Sequence, residues 1–109
     1  MQSRRADSTE QAWLNLIDQL PCIVCELYHG VDDSPAEIHH IEGKTKPNAH
    51  LRTIKLCANH HRIQDTHHPK RWLSIHADGK SIFGDRYAPE PELLDLQRHK
   101  VAGIKLHLV

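Results

Sequence analysis

The chain has 109 residues, 14 basic and 14 acidic, so its formal net charge is zero; 39% of it is hydrophobic and only 5% aromatic. No apolar run approaches the roughly 18 residues that would cross a membrane, and the opening Met-Gln-Ser-Arg-Arg-Ala-Asp lacks the apolar stretch of a secretory signal, so the reducing cytosol is the expected compartment. The length suits one domain, expected over residues 1–109, with a core that is marginal on its own.

Ser8-Thr9-Glu10-Gln11 reads as a capping box with Ser8 at the N-cap and Gln11 at N3. It predicts an amphipathic helix over 9–19, with Trp13, Leu14, Ile17 and Leu20 on one face and Pro21 as its stop. Cys22-Ile23-Val24-Cys25 is a tight Cys-x-x-Cys knuckle, and 26–36 reads as an acidic loop. A short strand follows over 37–41, then a basic turn-rich loop over 42–48, a second strand over 51–57 and a helix over 58–66. Trp72, Leu73, Ile75, Ile82, Phe83 and Tyr87 supply scattered apolar anchors around a turn at Asp78-Gly79. A last helix opens at Pro89 and is expected to stop at Gly103.

The charges are not evenly spread. From Gly43 to Trp72 there are seven basic residues and one acid, whereas Glu26 to Glu42 holds five acids and no Lys or Arg. The basic stretch coincides with a concentration of histidine: the chain has 11, seven of them between His39 and His68. Basic residues clustered in this way suit a phosphate backbone, and Lys44, Lys46, Arg52 and Arg62 are the expected phosphate contacts.

Three cysteines, an odd number, argue for metal-binding thiolates rather than a disulfide framework. Cys22-x-x-Cys25 and Cys57-x-x-His60 form two knuckles 31 residues apart, the ligand set of a structural Zn²⁺. Such a metal would staple a small core. His39 and His40 are adjacent on a strand and should face opposite sides, so one can bind metal while the other meets substrate. His61 points about 100° away from His60 on its helix. His50 precedes the second strand. His67 and His68 fit a third ligand, a phosphate contact or plain surface equally well. His29, His76, His99 and His107 are expected to have no specific role, and Trp13 and Trp72 to be core.

Ala36-Glu37-Ile38-His39-His40-Ile41, followed by Leu56-Cys57-Ala58-Asn59-His60-His61-Arg62, resembles the HNH endonuclease motif. The run from His39 through Gly43-Lys44-Thr45-Lys46-Pro47 to His50 is similar to that of the phage Ref-type RecA-dependent nucleases. The resemblance implies an α+β fold: a zinc-stapled ββα-metal (HNH-like) core with flanking N- and C-terminal helices. It implies that His39 and His61 bind a catalytic cation, that His40 is the general base, and that His50 occupies the bracing position where the family usually carries Asn. It further implies DNA as substrate, a recombinase filament such as RecA as a possible partner, and the cytoplasm of a bacterial or phage-infected cell.

The residue types suit phosphodiester hydrolysis. An imidazole titrates near neutral pH and can deprotonate water. A divalent cation (Mg²⁺, Mn²⁺, Ni²⁺ or Zn²⁺) neutralises charge on the phosphate and leaving oxygen. The alternative is a non-catalytic zinc-stabilised module that binds DNA or a recombinase. It would need the zinc knuckles but no second metal.

Overall fold

The structure, a computed structural model, describes residues 5–66, 68 and 71–108, with side chains as far as residue 103. His67 and the side chain of His107 lie outside the described residues. Among them, two strands and six α-helices make a small α+β fold, and no helix is long and apolar enough to cross a membrane.

Helix α1 (Ser8–Ile17) begins one residue earlier than its sequence suggested. Asp7, not Ser8, is the N-cap, and Glu10, not Gln11, completes the capping box. Two cap-capable residues stand side by side, as do two N3 candidates, and the local pattern cannot separate these registers. Packing separates them: Glu10 is only 3% exposed, whereas Ser8 and Gln11 face solvent.

The Cys22–Cys25 knuckle and the first four residues of the expected acidic loop over 26–36 form a helix, α2 (Ile23–His29). The Cys22 sulfur caps it by accepting the Cys25 N–H at 3.4 Å. Gly30 closes it at φ +68°, a left-handed conformation that glycine adopts without strain, and Val31 N–H returns to the Cys25 carbonyl at 3.0 Å.

Strands β1 (Glu37–His40) and β2 (Thr53–Leu56) pair antiparallel, with His39 opposite Ile54 and His40 opposite Thr53. Every β2 residue is buried. Its other edge is covered by Gln97, whose amide oxygen accepts Lys55 N–H at 2.9 Å while its nitrogen donates to Thr53 O at 3.0 Å. A side chain thus stands in for a third strand. Lys55 is itself buried, its ammonium donating to the Asp18 carbonyl at the end of α1, so it is withdrawn from the basic surface.

A 3₁₀ turn (Ala49–Leu51) precedes β2, entered through Asn48 at φ +62°. Helix α3 (Ala58–His61) is one turn long rather than the expected nine residues. The scattered apolar anchors Ile75, Ile82 and Phe83, on either side of Asp78-Gly79, belong to two helices, α4 (Ile75–Asp78) and α5 (Lys80–Arg86). Helix α6 (Glu90–Leu108) runs through Gly103 instead of stopping there.

The main core joins Val24, Ile54, Leu56, Ile75, Phe83, Leu93 and Leu94, so α2, α4, α5 and α6 all close on the sheet. Full burial of such side chains contributes about 1.5–3 kcal/mol each. A smaller cluster of Ile17, Leu20 and Val101 fastens α1 to α6.

Candidate metal centres

Cys22 and Cys25 frame the start of α2, and Cys57 and His60 frame α3. Their side chains meet. His60 Nδ1 lies 3.5, 3.6 and 3.1 Å from the sulfurs of Cys22, Cys25 and Cys57, and Cys25 and Cys57 sulfurs are 3.7 Å apart. A tetrahedron with arms of ~2.3 Å to sulfur has edges of about 3.8 Å. The four atoms therefore stand near the corners that a zinc ion requires, and the cluster could hold a metal ion. Hydrogen bonding from Cys22, then Cys25, pulls the Cys57 thiol well below its ordinary range, while bonds to Cys25 and Cys57 push Cys22 up. Three sulfurs this close cannot all ionise without a cation among them.

His29 lies against this cluster, contrary to expectation, and so does Trp72, which also packs on the main core as expected. His29 Nε2 is 3.2 Å from His60 Nε2, leaving His60 Nδ1 for the sulfurs. The two rings lie nearly parallel to the Trp72 indole, at 4.2 and 4.7 Å between centroids, and His68 stacks on Trp72 at 3.6 Å. His68 also donates to the buried Asp65 carboxylate at 2.9 Å, which accepts Trp72 N–H as well.

A second group forms from His39 on β1, His61 on α3 and His76 on α4, with one nitrogen of each within 4.8 Å of the others. His39 is 2% exposed, while His76 is open to solvent. His76 is the residue that sequence reasoning missed. It becomes a neighbour only because α4 folds back onto α3. Three imidazoles could hold a cation and leave coordination positions open. They line a cleft of about 320 Å³ with His40, Gly43 and Lys44. A groove of about 390 Å³ on the acidic side, lined by Asp18, Asp32 and Asp33, contains no histidine.

Each of the first two histidines also holds a carboxylate. His61 Nδ1 donates to Glu37 Oε1 at 2.8 Å, and His39 Nε2 donates to Glu90 Oε2 at 2.7 Å. Hydrogen bonds from Arg62, then His61, bring Glu37 down to about 2. Burial, the largest single influence, would raise Glu90, but the bond from His39, the charge of that imidazole and Lys80 together outweigh it and hold the carboxyl below its usual range.

His40, which lines the same cleft, has a partner of its own. Its Nε2 is 2.9 Å from His50 Nδ1, so position 50 sits with His40 and not with the three-histidine group. Burial, reinforced by the charge of His50 and Lys44, pushes the His40 imidazole down to about 4. His50 is fixed in turn: its N–H donates to Glu10 Oε2 at 3.2 Å, and its carbonyl accepts from the Thr53 hydroxyl, which holds Trp13 Nε1.

The expected phosphate contacts divide. Lys44 lines the histidine cleft. Lys46 and Arg52 both pair with Glu42, and Arg62 grips Glu37 at 2.7 Å.

Compared with known families, residues 6–102 match the model described as recombination enhancement, RecA-dependent nuclease. The match spans nearly the whole chain, and the chain belongs to that family.

Proposed function

From membership of the RecA-dependent nuclease family, we propose that this chain is a metal-dependent DNA endonuclease of the HNH, ββα-metal type, working as one domain in phage-derived recombination or DNA processing. The observation that carries the reading is the convergence of His39, His61 and His76 on one cleft, beside the His40–His50 pair. Strands β1 and β2 and helix α3 would be the ββα unit. The Cys22/Cys25/Cys57/His60 centre would hold structural Zn²⁺.

In this reading His40 is the general base. With its Nε2–H donated to His50 Nδ1, its lone pair sits on Nδ1 and can take a proton from water. The water oxygen attacks phosphorus, the bond from phosphorus to the leaving sugar oxygen breaks, and that oxygen departs with the electron pair. Burial keeps His40 neutral at pH 7, so the lone pair is free without prior deprotonation. His50 steadies the imidazolium that forms. A divalent cation held by His39, His61 and His76 would supply charge neutralisation at the phosphate and leaving oxygen. Lys44, Lys46 and Arg52 would position the backbone without reading sequence, Arg52 by exchanging Glu42 for a phosphate. Arg62, clamped on Glu37, would add less.

The test is plasmid cleavage by zinc-loaded protein with Mg²⁺, Mn²⁺ or Ni²⁺, with and without a RecA filament on the DNA, beside His40→Ala. Removing a general base costs roughly 10²–10⁴-fold in rate. Undiminished cleavage by His40→Ala would overturn the mechanism. Salt-dependent DNA binding with one zinc per chain and no cleavage under any condition would favour a non-catalytic module instead.

A further inference from the structure

The histidine cleft is flanked by two chains of contacts with the same chemistry. On one side Arg62 reaches Glu37 with Nε at 3.0 and 3.1 Å and a terminal nitrogen at 2.7 Å, and Glu37 accepts from His61 Nδ1. On the other, Lys80 lies 3.4 Å from Glu90 Oε1, and Glu90 Oε2 accepts from His39 Nε2. Lys80 is tied as well to the Ile41 carbonyl at 3.1 Å, next to the end of β1.

We propose that Glu37 and Glu90 are positioning residues of the histidine centre, each fixing the tautomer and ring orientation of one imidazole. The proposal rests on the reading of His39 and His61 as metal ligands. An ionised carboxylate only accepts hydrogen bonds. The nitrogen facing it must therefore be N–H, and the lone pair of the neutral ring is placed on the other nitrogen. That leaves Nε2 of His61 and Nδ1 of His39 as the donors available to a cation. Hydrogen bonding to a carboxylate also makes the ring a better donor, and loss of such a partner typically weakens metal binding about 10–100-fold.

Stability alone accounts poorly for the Glu90 arm. The His39 and Glu90 side chains are 3% and 8% exposed. A buried ionic contact of this kind is often no more stabilising than apolar residues of the same volume. The sequence spacing agrees with a shared purpose. Glu37 lies two residues before His39 on β1, hence on the same face of the strand. Glu90 opens α6, which brings it to His39 across 51 residues. Arg62 acts in this arrangement as the anchor of Glu37, a different role from gripping DNA.

The experiment has two readouts on zinc-loaded protein. Long-range ¹H–¹⁵N spectra of the imidazoles report tautomers without added metal, and calorimetry with Ni²⁺ reports the affinity of the second centre. Wild type should show His61 as the Nδ1–H form and His39 as the Nε2–H form. Glu37→Ala and Glu90→Ala should each lose the fixed tautomer at their own histidine and weaken Ni²⁺ binding roughly 10–100-fold. The Gln variants, whose amide oxygen still accepts, should keep the tautomers and bind between the two. Zinc content should stay at one per chain throughout, which shows that the fold is intact. Unchanged tautomers and Ni²⁺ affinity in the Ala variants would overturn the proposal. Should an Ala variant lose its zinc, the matching Gln variant decides: a mixed tautomer there overturns it. His39→Ala and His61→Ala separate the underlying reading, because undiminished Ni²⁺ binding by those two would show that this is no metal centre.

Discussion

Glu10 joins the start of the first helix to the site, and its removal should be felt in both. Its Oε1 accepts Asp7 N–H at 3.1 Å and its Oε2 accepts His50 N–H at 3.2 Å. Glu10→Ala breaks half of a capping box, a loss of about 0.5–1 kcal/mol. It also removes the carboxylate acceptor of an N–H on a residue only 8% exposed, for roughly 1–3 kcal/mol more. The sum, about 1.5–4 kcal/mol, corresponds to a fall in Tm of roughly 6–16 °C at ~4 °C per kcal/mol for a domain of this size. Ser8→Ala and Gln11→Ala are the controls. Both are exposed and should stay within about 0.5 kcal/mol of wild type. Thermal unfolding of zinc-loaded protein gives the ranking, and hydrogen exchange at the His50 amide shows whether the 3₁₀ turn has loosened. A small effect of Glu10→Ala beside a large one of Ser8→Ala would refute the observed register and the link to His50.

Three further outcomes are expected. Gln97→Leu strips both covering hydrogen bonds from β2 and should destabilise by roughly 2–5 kcal/mol, seen as a lower urea midpoint with zinc still bound; a midpoint equal to wild type would show that the β2 edge needs no such cover. Chelation of zinc, or Cys57→Ser, should unfold the chain, because structural zinc contributes an apparent ~10–16 kcal/mol against a typical total stability of about 5–15 kcal/mol; a native circular-dichroism melt after complete zinc removal would contradict this. His40 is held at about 4 in the fold against roughly 6.5 in the unfolded chain, so the unfolded chain binds more protons between those values and stability should rise with pH across that window. With solvent screening of the partly exposed ring the gain is about 1–2 kcal/mol, and His40→Ala should flatten the slope between pH 4.5 and 7 (on the order of one proton's linkage); an unaltered slope would assign it to other groups.

The cysteine–histidine cluster that could hold a metal was legible in the sequence because its geometry is local: two knuckles, each closed by one tight turn, need only be brought together once. The two strands were legible for the same reason, since their pattern is a property of the strand itself. What remained hidden depends on tertiary contact. His76 lies on a four-residue helix with no periodicity to read, and it meets His39 and His61 only where α4 packs on α3. Glu37 and Glu90 carry no motif that pairs them with histidine, and only the fold brings them to His61 and His39. Helix α2 was obscured because Asp32, Asp33 and Gly30 gave 26–36 the composition of a loop, while the helix itself is begun by a cysteine sulfur, an unusual cap. The expected length of α3 overran because no glycine or proline marks Arg62, where the backbone leaves the helix at φ −138°.

The stack on Trp72 has a practical consequence. The chain has two tryptophans, and they sit in different places: Trp72 lies flat against His60 of the cysteine–histidine cluster, and Trp13 is hydrogen-bonded to Thr53 beneath the His50 turn. Indole emission is sensitive to stacked imidazole and to its charge. The protein therefore carries two optical reporters of its own, one for the thiolate centre and one for the loop that holds His50. With Trp13→Phe the remaining signal would follow zinc loading alone, and with Trp72→Phe it would follow that loop, so folding, metal uptake and loop motion can be timed separately without attaching a dye.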